Sequence, residues 1–185
     1  MTHPITFFNG ASPFSNFYRT RFSAPNRHQK VSEFAYSEQY FMYVKALVFN
    51  DTAIADKIAA NSNEKPQYFK RLGRQLQHYD KYGAEWEAIK NNVMYNAVVF
   101  KFSNPDNDLR DQLLATGDAQ LIEASPYDSY WGAGVAKDDL AYQNHNKLSD
   151  WDFPGENHLG EILMQLRHDM QTKSVKIKRD ALIFK

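Results

Sequence analysis

Hydrophobic and polar positions divide the chain into short stretches of different period. Residues 5–8 and 17–22 are apolar or aromatic runs, and Asn9-Gly10-Ala11-Ser12-Pro13 between them is turn chemistry, so the opening predicts extended structure. Residues 37–49 lack Gly and Pro and are rich in helix formers, which predicts a helix with Ser37 as its N-cap. A second short helix is predicted over 52–60, capped by Asp51. A third opens at Pro66 and ends at Gly73, a residue suited to the left-handed position after a helix. The strongest periodicity runs over 84–102, where Trp86, Ile89, Val93, Ala97 and Phe100 recur at steps of three and four. Asn104-Pro105 stops that helix. Another follows over 106–116, closed by Gly117, and 119–124 reads as a short strand. Residues 125–156 read as one long loop, and a loop of that length in a compact domain is usually functional. Leu159, Ile162, Leu163, Leu166 and Met170 mark a last amphipathic helix. The fold class expected is α+β, a single helix-rich domain with a small β-sheet over residues 1–172. Residues 173–185 form a basic extension, either an added edge strand or an appendage.

Composition narrows the function classes. The 185 residues are 43% hydrophobic, 24% charged and 15% aromatic, as in a globular domain large enough to bury a core without staples. There are 22 basic and 22 acidic residues, so bulk electrostatic attraction to nucleic acid is not expected, although a local basic patch is compatible with that balance. The absence of cysteine removes disulfides, thiolate nucleophiles and Cys-based zinc sites together. The six histidines lack metal-ligand spacing, so no metal is expected. No apolar run approaches a membrane span, and Met-Thr-His-Pro is unlike a signal peptide. A soluble, cytoplasmic location is the expectation.

Three constellations can carry chemistry. Glu38 and Lys45 stand seven positions apart in a predicted helix, nearly two turns, with about 20° of angular drift, so both leave one face. Phe34, Phe41 and Met42 make that face partly apolar, which would desolvate a carboxylate and an amine and suit them to proton transfer. The alternative is a solvated pair with Lys45 reaching water. The second constellation is Ser125-Pro-Tyr-Asp128-Ser-Tyr-Trp131-Gly132-Ala-Gly134. A Trp beside Gly-x-Gly offers a flat ring next to backbone that a ligand can approach, with Asp128 near enough to bond a heterocycle or ribose. It equally describes a Trp plugging a loop onto the core. Third, Gly155-Glu-Asn157-His-Leu-Gly160 leads into the last helix, whose first N–H groups could hold a phosphate unless Asn157 caps them. Arg71 and Arg74 offer another phosphate clamp.

In this order the pieces resemble the NADAR (YbiA-like) family. The similar stretches are Phe14-Ser-Asn-Phe-Tyr18, Ser37-Glu-Gln-Tyr-Phe-Met-Tyr-Val-Lys45-Ala46, Lys70-Arg-Leu-Gly-Arg74, Trp86 followed by Met94, Glu123 to Gly134, and Gly155 to Arg167. The resemblance implies an N-glycosidase of α+β fold that cleaves a ribose C1′–nitrogen bond. Two substrate groups are associated with the family: phosphoribosylamino-pyrimidine intermediates of riboflavin synthesis, and ADP-ribose on the amino group of guanine in nucleic acid. By resemblance, Glu38, Lys45 and Asp128 are catalytic. Asn16, Phe17, Arg74, Trp86, Trp131, Gly132, Gly134 and Asn157 bind substrate, and no cofactor is implied. ADP-ribose on guanine is the favoured substrate, because residues 137–153 form a longer loop than the shortest members have. ADP-ribosylated DNA or RNA would then be the partner, with no membrane and no obligate protein partner. Riboflavin intermediates, or a non-catalytic ADP-ribose-binding module, are the alternatives.

Overall fold

A computed structural model describes residues 2–183. In chain order it contains β1 (Ile5–Phe7), β2 (Phe22–Pro25), β3 (Val31–Phe34), α1 (Ser37–Val48), α2 (Thr52–Ala59) and α3 (Pro66–Gly73). There follow α4 (Tyr79–Phe102), α5 (Leu109–Ala115), β4 (Leu121–Glu123), α6 (Lys137–Gln143), α7 (His158–Gln171) and a 3₁₀ turn, Arg179–Ala181. The expected helix-rich α+β class is what forms. The chain divides into two compact units: residues 1–15 with 106–175, and residues 16–105 with 176–185. No helix among the described residues is long and apolar enough to cross a membrane.

The unit containing residues 16–105 is organised by α1. Every residue of that helix except Lys45 is buried, because α2, α3 and α4 all pack on it. It is a central helix and not the amphipathic surface helix that a solvated Glu38–Lys45 pair would need. Ser37 is not its N-cap. Tyr36 takes that place in extended conformation, and the Ser37 hydroxyl instead donates to Asn16 Oδ1 at 2.9 Å. Asp51 does cap α2, its Oδ1 accepting from the Ile54 amide at 2.9 Å. Gly73 stays helical at the end of α3, and its missing side chain makes room for Met42: a Cβ there would lie 2.3 Å from the sulfur. The helix α4 starts five residues before the expected 84, behind a left-handed His78. A β2–β3 antiparallel hairpin, closed by residues 26–30, begins at the last residue of the run expected to be extended over 17–22.

In the other unit β1 and β4 pair in parallel, Ile5 opposite Leu121 and Phe7 opposite Glu123, and α7 packs on β4. The stretch 125–156 is not structureless. It contains α6, and Leu140 and Trp151 enter a buried cluster with Ile122, Ala124, Ala133 and Val135. Trp151 is further fixed by its amide, which donates to Gln120 Oε1 at 2.8 Å. The small sheet is therefore two separate two-stranded pairings.

The C-terminal extension forms no strand among its described residues. Its backbone at Lys178 is taken up by the Asn96 side chain, which donates to the Lys178 carbonyl and accepts from its amide, both at 2.8 Å. Hydrogen bonding to a helix side chain replaces the sheet edge that an added strand would require.

Candidate active site

The expected site residues fall into two groups, one in each unit. On α1, Glu38, Phe41, Lys45 and the C-cap Phe49 follow one another at helical spacing. Glu38 is 6% exposed, and its Oε1 is out of contact with solvent. Its backbone amide donates to the Asn16 carbonyl at 3.3 Å, and Asn16 is itself buried. Asn16 therefore secures the first turn of α1 through both its backbone and its side chain.

Lys45 ends inside a set of aromatic rings. Its Nζ lies 5.1 Å from the Tyr79 ring centre, 5.6 Å from Trp86 and 5.7 Å from Phe49. Ring faces attract a cation, so three quadrupoles hold the tip of this side chain in place. Trp86 is 4% exposed, with Phe41 tilted against it at 4.9 Å. That burial makes Trp86 a wall of the Lys45 site. Phe49 also lines a cavity of about 550 Å³ together with Gln77, His78, Lys81, Tyr82 and the start of α2. Arg74 and Arg71 are exposed at the end of α3, and the Arg71 guanidinium lies over the Tyr68 ring. Phe17 is half-buried, with Lys70 Nζ 6.0 Å from its ring centre.

The second group is the loop before α6. Asp128 Oδ1 accepts from the amides of Trp131 at 2.9 Å and Tyr130 at 3.2 Å. This Asx-type turn commits one carboxylate oxygen to loop shape. Trp131 is half-buried, its ring edge-on to Tyr130 at 5.0 Å and to His158 at 6.4 Å. Gly132 is glycine because a Cβ would lie 2.7 Å from the Glu123 carbonyl, and Gly134 because its φ is +69°. Both requirements are internal to the loop; neither needs a ligand.

The helix start after Gly155 does not present free N–H groups. The amides of Asn157, His158 and Leu159 donate to the carbonyls of Gly132, Tyr130 and Trp131, each at 3.1 Å. The Asn157 side chain makes no cap. It donates to the Leu121 carbonyl and accepts from the Glu123 amide, both at 2.9 Å, and the residue is fully buried. With both ends of its amide used on β4, Asn157 joins strand to helix and is removed from the ligand contacts.

Two features were missed in the sequence. Tyr79 belongs to the Lys45 surround but precedes the predicted start of α4. Lys101 is fully buried on α4, and burial lowers its amine to about 7. The available signal was a lysine at the i+7 position of the apolar series Met94, Ala97, Val98.

The arrangement is that of a known fold. The NMR structure of the Escherichia coli protein YbiA superposes with a TM-score of 0.68, at 28% sequence identity, over 94% of this chain and 88% of YbiA. The NADAR domain model matches residues 6–171, and the chain belongs to that family. Protein irg-1 of Caenorhabditis elegans is 36% identical, with 91% of this chain and 80% of its own length aligned. N-glycosidase R617 of Acanthamoeba polyphaga mimivirus is 33% identical over 92% of this chain and 98% of its own. The Zea mays riboflavin biosynthesis protein PYRR is 29% identical over 85% of this chain, which is only 23% of the maize protein.

Proposed function

We propose that this protein is an N-glycosidase that hydrolyses the bond between ribose C1′ and an exocyclic amine of a heterocycle, with ADP-ribose on guanine in nucleic acid as the favoured substrate. The observation that carries the reading is the pairing, on one face of α1, of a buried carboxylate, Glu38, with an amine, Lys45, held among three rings. Relatives named N-glycosidases support the reaction class. The cavity beside Phe49, with Lys81 and His78 on its wall, suits a phosphorylated ribose.

An exocyclic N-glycoside retains an N–H, so its sugar can open to a C1′ imine as the ring oxygen takes a proton. The Lys45 amine adds to C1′, and the C1′–N bond to the heterocycle breaks as that nitrogen leaves with a proton from Glu38. Water then adds to the Lys45 imine, Glu38 accepting its proton, and the amine is released as the sugar closes to its hemiacetal. The net reaction consumes one water and yields free heterocycle amine and ribose.

The second reading, hydrolysis of riboflavin intermediates, is favoured by the similarity to riboflavin biosynthesis proteins. The same chemistry serves it, because those substrates also carry an exocyclic amine on C1′. Side-by-side incubation with an ADP-ribosyl-guanine oligonucleotide and with the phosphoribosylamino-pyrimidines, with product analysis, separates the two. Faster turnover of the oligonucleotide is expected. Exclusive turnover of the pyrimidines would replace the first reading by the second.

A further inference from the structure

We propose that the groove between β2, α4 and the C-terminal extension binds a single-stranded segment of nucleic acid, a docking site that rests on the nucleic-acid reading of the substrate and lies outside the chemistry of α1. The groove is a cavity of about 610 Å³ lined by Pro25, Phe100, Ile177 and Leu182, with Lys176 and Arg179 beside them. An aromatic ring and apolar side chains flanked by two exposed cations are what a stacked base and its neighbouring phosphates require.

Charge is unevenly distributed along the chain in the same sense. Of 22 basic and 22 acidic residues, the last thirteen positions hold five basic (Lys173, Lys176, Lys178, Arg179, Lys185) and one acidic, Asp180. A neutral protein thus carries a positive segment against a negative remainder, and that segment begins after the 6–171 span of the family domain. Asp180 is bonded to Asn92 at 2.7 Å, and the cavity lining itself contains no acid.

The extension is also fixed before any ligand arrives. Asn96 holds Lys178 by two hydrogen bonds, Ala181 is fully buried, and Phe100 stands edge-on to Tyr40 at 5.4 Å. A preformed site spends little binding energy on ordering. An anionic bilayer, which also attracts lysines, would press on a flat or convex apolar face; here the apolar side chains line a hollow, which favours a base.

The test uses the full-length protein and a fluorescein-labelled, unmodified 12-nucleotide single strand, as DNA and as RNA of the same sequence. Wild type should bind in anisotropy titrations, weakening as salt rises. The double change Lys176→Glu with Arg179→Glu should weaken binding at least tenfold and reduce the salt slope by about 1.4, since each phosphate neutralised on a single strand contributes about 0.7. The same variant should turn over ADP-ribosyl-guanosine, a substrate with no strand, at the wild-type rate and melt at the wild-type temperature. Should the double reversal fail to fold, Lys176→Gln with Arg179→Gln gives the same reading with a smaller change. Tighter binding of one strand identifies DNA or RNA as the source, and equal binding supports the shared chemistry. Equal strand affinity of variant and wild type, or binding to phosphatidylserine vesicles in place of either strand, overturns the proposal. Lost strand binding in a protein that turns over no ADP-ribosyl substrate would sink the catalytic reading and leave the groove standing.

Discussion

The Nζ atom of Lys45 stands 5.6 Å from the centre of the Trp86 ring, with Phe49 and Tyr79 completing the surround. Lys45 is also the one residue of α1 that is not buried. The helix therefore brings the Lys45 amine to a partly open position while its other residues, Glu38 among them, are buried. Rings on α1 and α4 restrict where that tip can go, which is the positioning a nucleophilic or charge-stabilising amine needs.

Glu38→Gln should abolish most turnover without unfolding the protein. Glutamine has the same shape and keeps the backbone contact to Asn16, but it cannot exchange a proton. The loss expected for a proton-transfer group is about 10²–10⁴-fold in kcat, with the melting temperature near that of wild type. Activity within a few-fold of wild type would remove Glu38 from the mechanism.

Trp131→Ala separates ligand stacking from loop packing. The ring is half-buried and stands edge-on to Tyr130 and His158. ADP-ribose affinity, read by calorimetry, should fall by about 1–3 kcal/mol, the scale of base–aromatic stacking. A large fall in melting temperature with unchanged affinity would instead make the ring a plug.

Gly160→Ala tests whether the start of α7 is packed or open. A Cβ there would lie 2.1 Å from the Leu121 carbonyl and 2.4 Å from Asn157 Nδ2, neither of which can move without breaking the β4 junction. Overpacking of this kind costs about 1–3 kcal/mol, so denaturant titration should show that loss. Wild-type stability would mean that the helix start has room to admit a ligand.

Lys101 should impose a pH dependence on stability. Burial lowers its amine from 10.5 to about 7 in the folded state. Between those values the unfolded chain binds the proton and the folded chain does not, so stability rises as pH increases from about 7 toward 10. At and below pH 7 the burial penalty is fully present. Lys101→Met should flatten the rise, measured by urea unfolding at pH 7, 8 and 9. An equal slope in the variant would assign the dependence to other groups.

Legibility of the fold followed the strength of local signals. Asp51 and Gly117 announced a cap and a stop because each acts on its immediate neighbours, and both stand where expected. The early start of α4 was hidden, since His78 enters it in left-handed conformation with no side-chain cap and Gly83 interrupts the apolar pattern. Residues 125–156 looked like loop because Gly and Pro dominate locally, whereas α6 is held by the distant contacts of Leu140 and Trp151. The site divided the same way. The shared face of Glu38 and Lys45 is a matter of helical period and was visible. That Asn157 and Asp128 spend their side chains on backbone groups depends on which strand or turn lies beside them, and no spacing rule reports that.

The central step of the proposed reaction is the bonding of the Lys45 amine to C1′. Borohydride added during turnover should reduce the imine to a stable secondary amine, and mass spectrometry should place the sugar adduct on the peptide that carries Lys45. Lys45→Arg keeps a cation among the rings but, with a pKa above about 12, offers no free amine. It should lose both adduct and activity. A Lys45→Arg enzyme that forms no adduct yet turns over at a rate near wild type would contradict the covalent route and reduce Lys45 to an electrostatic helper in direct attack by water.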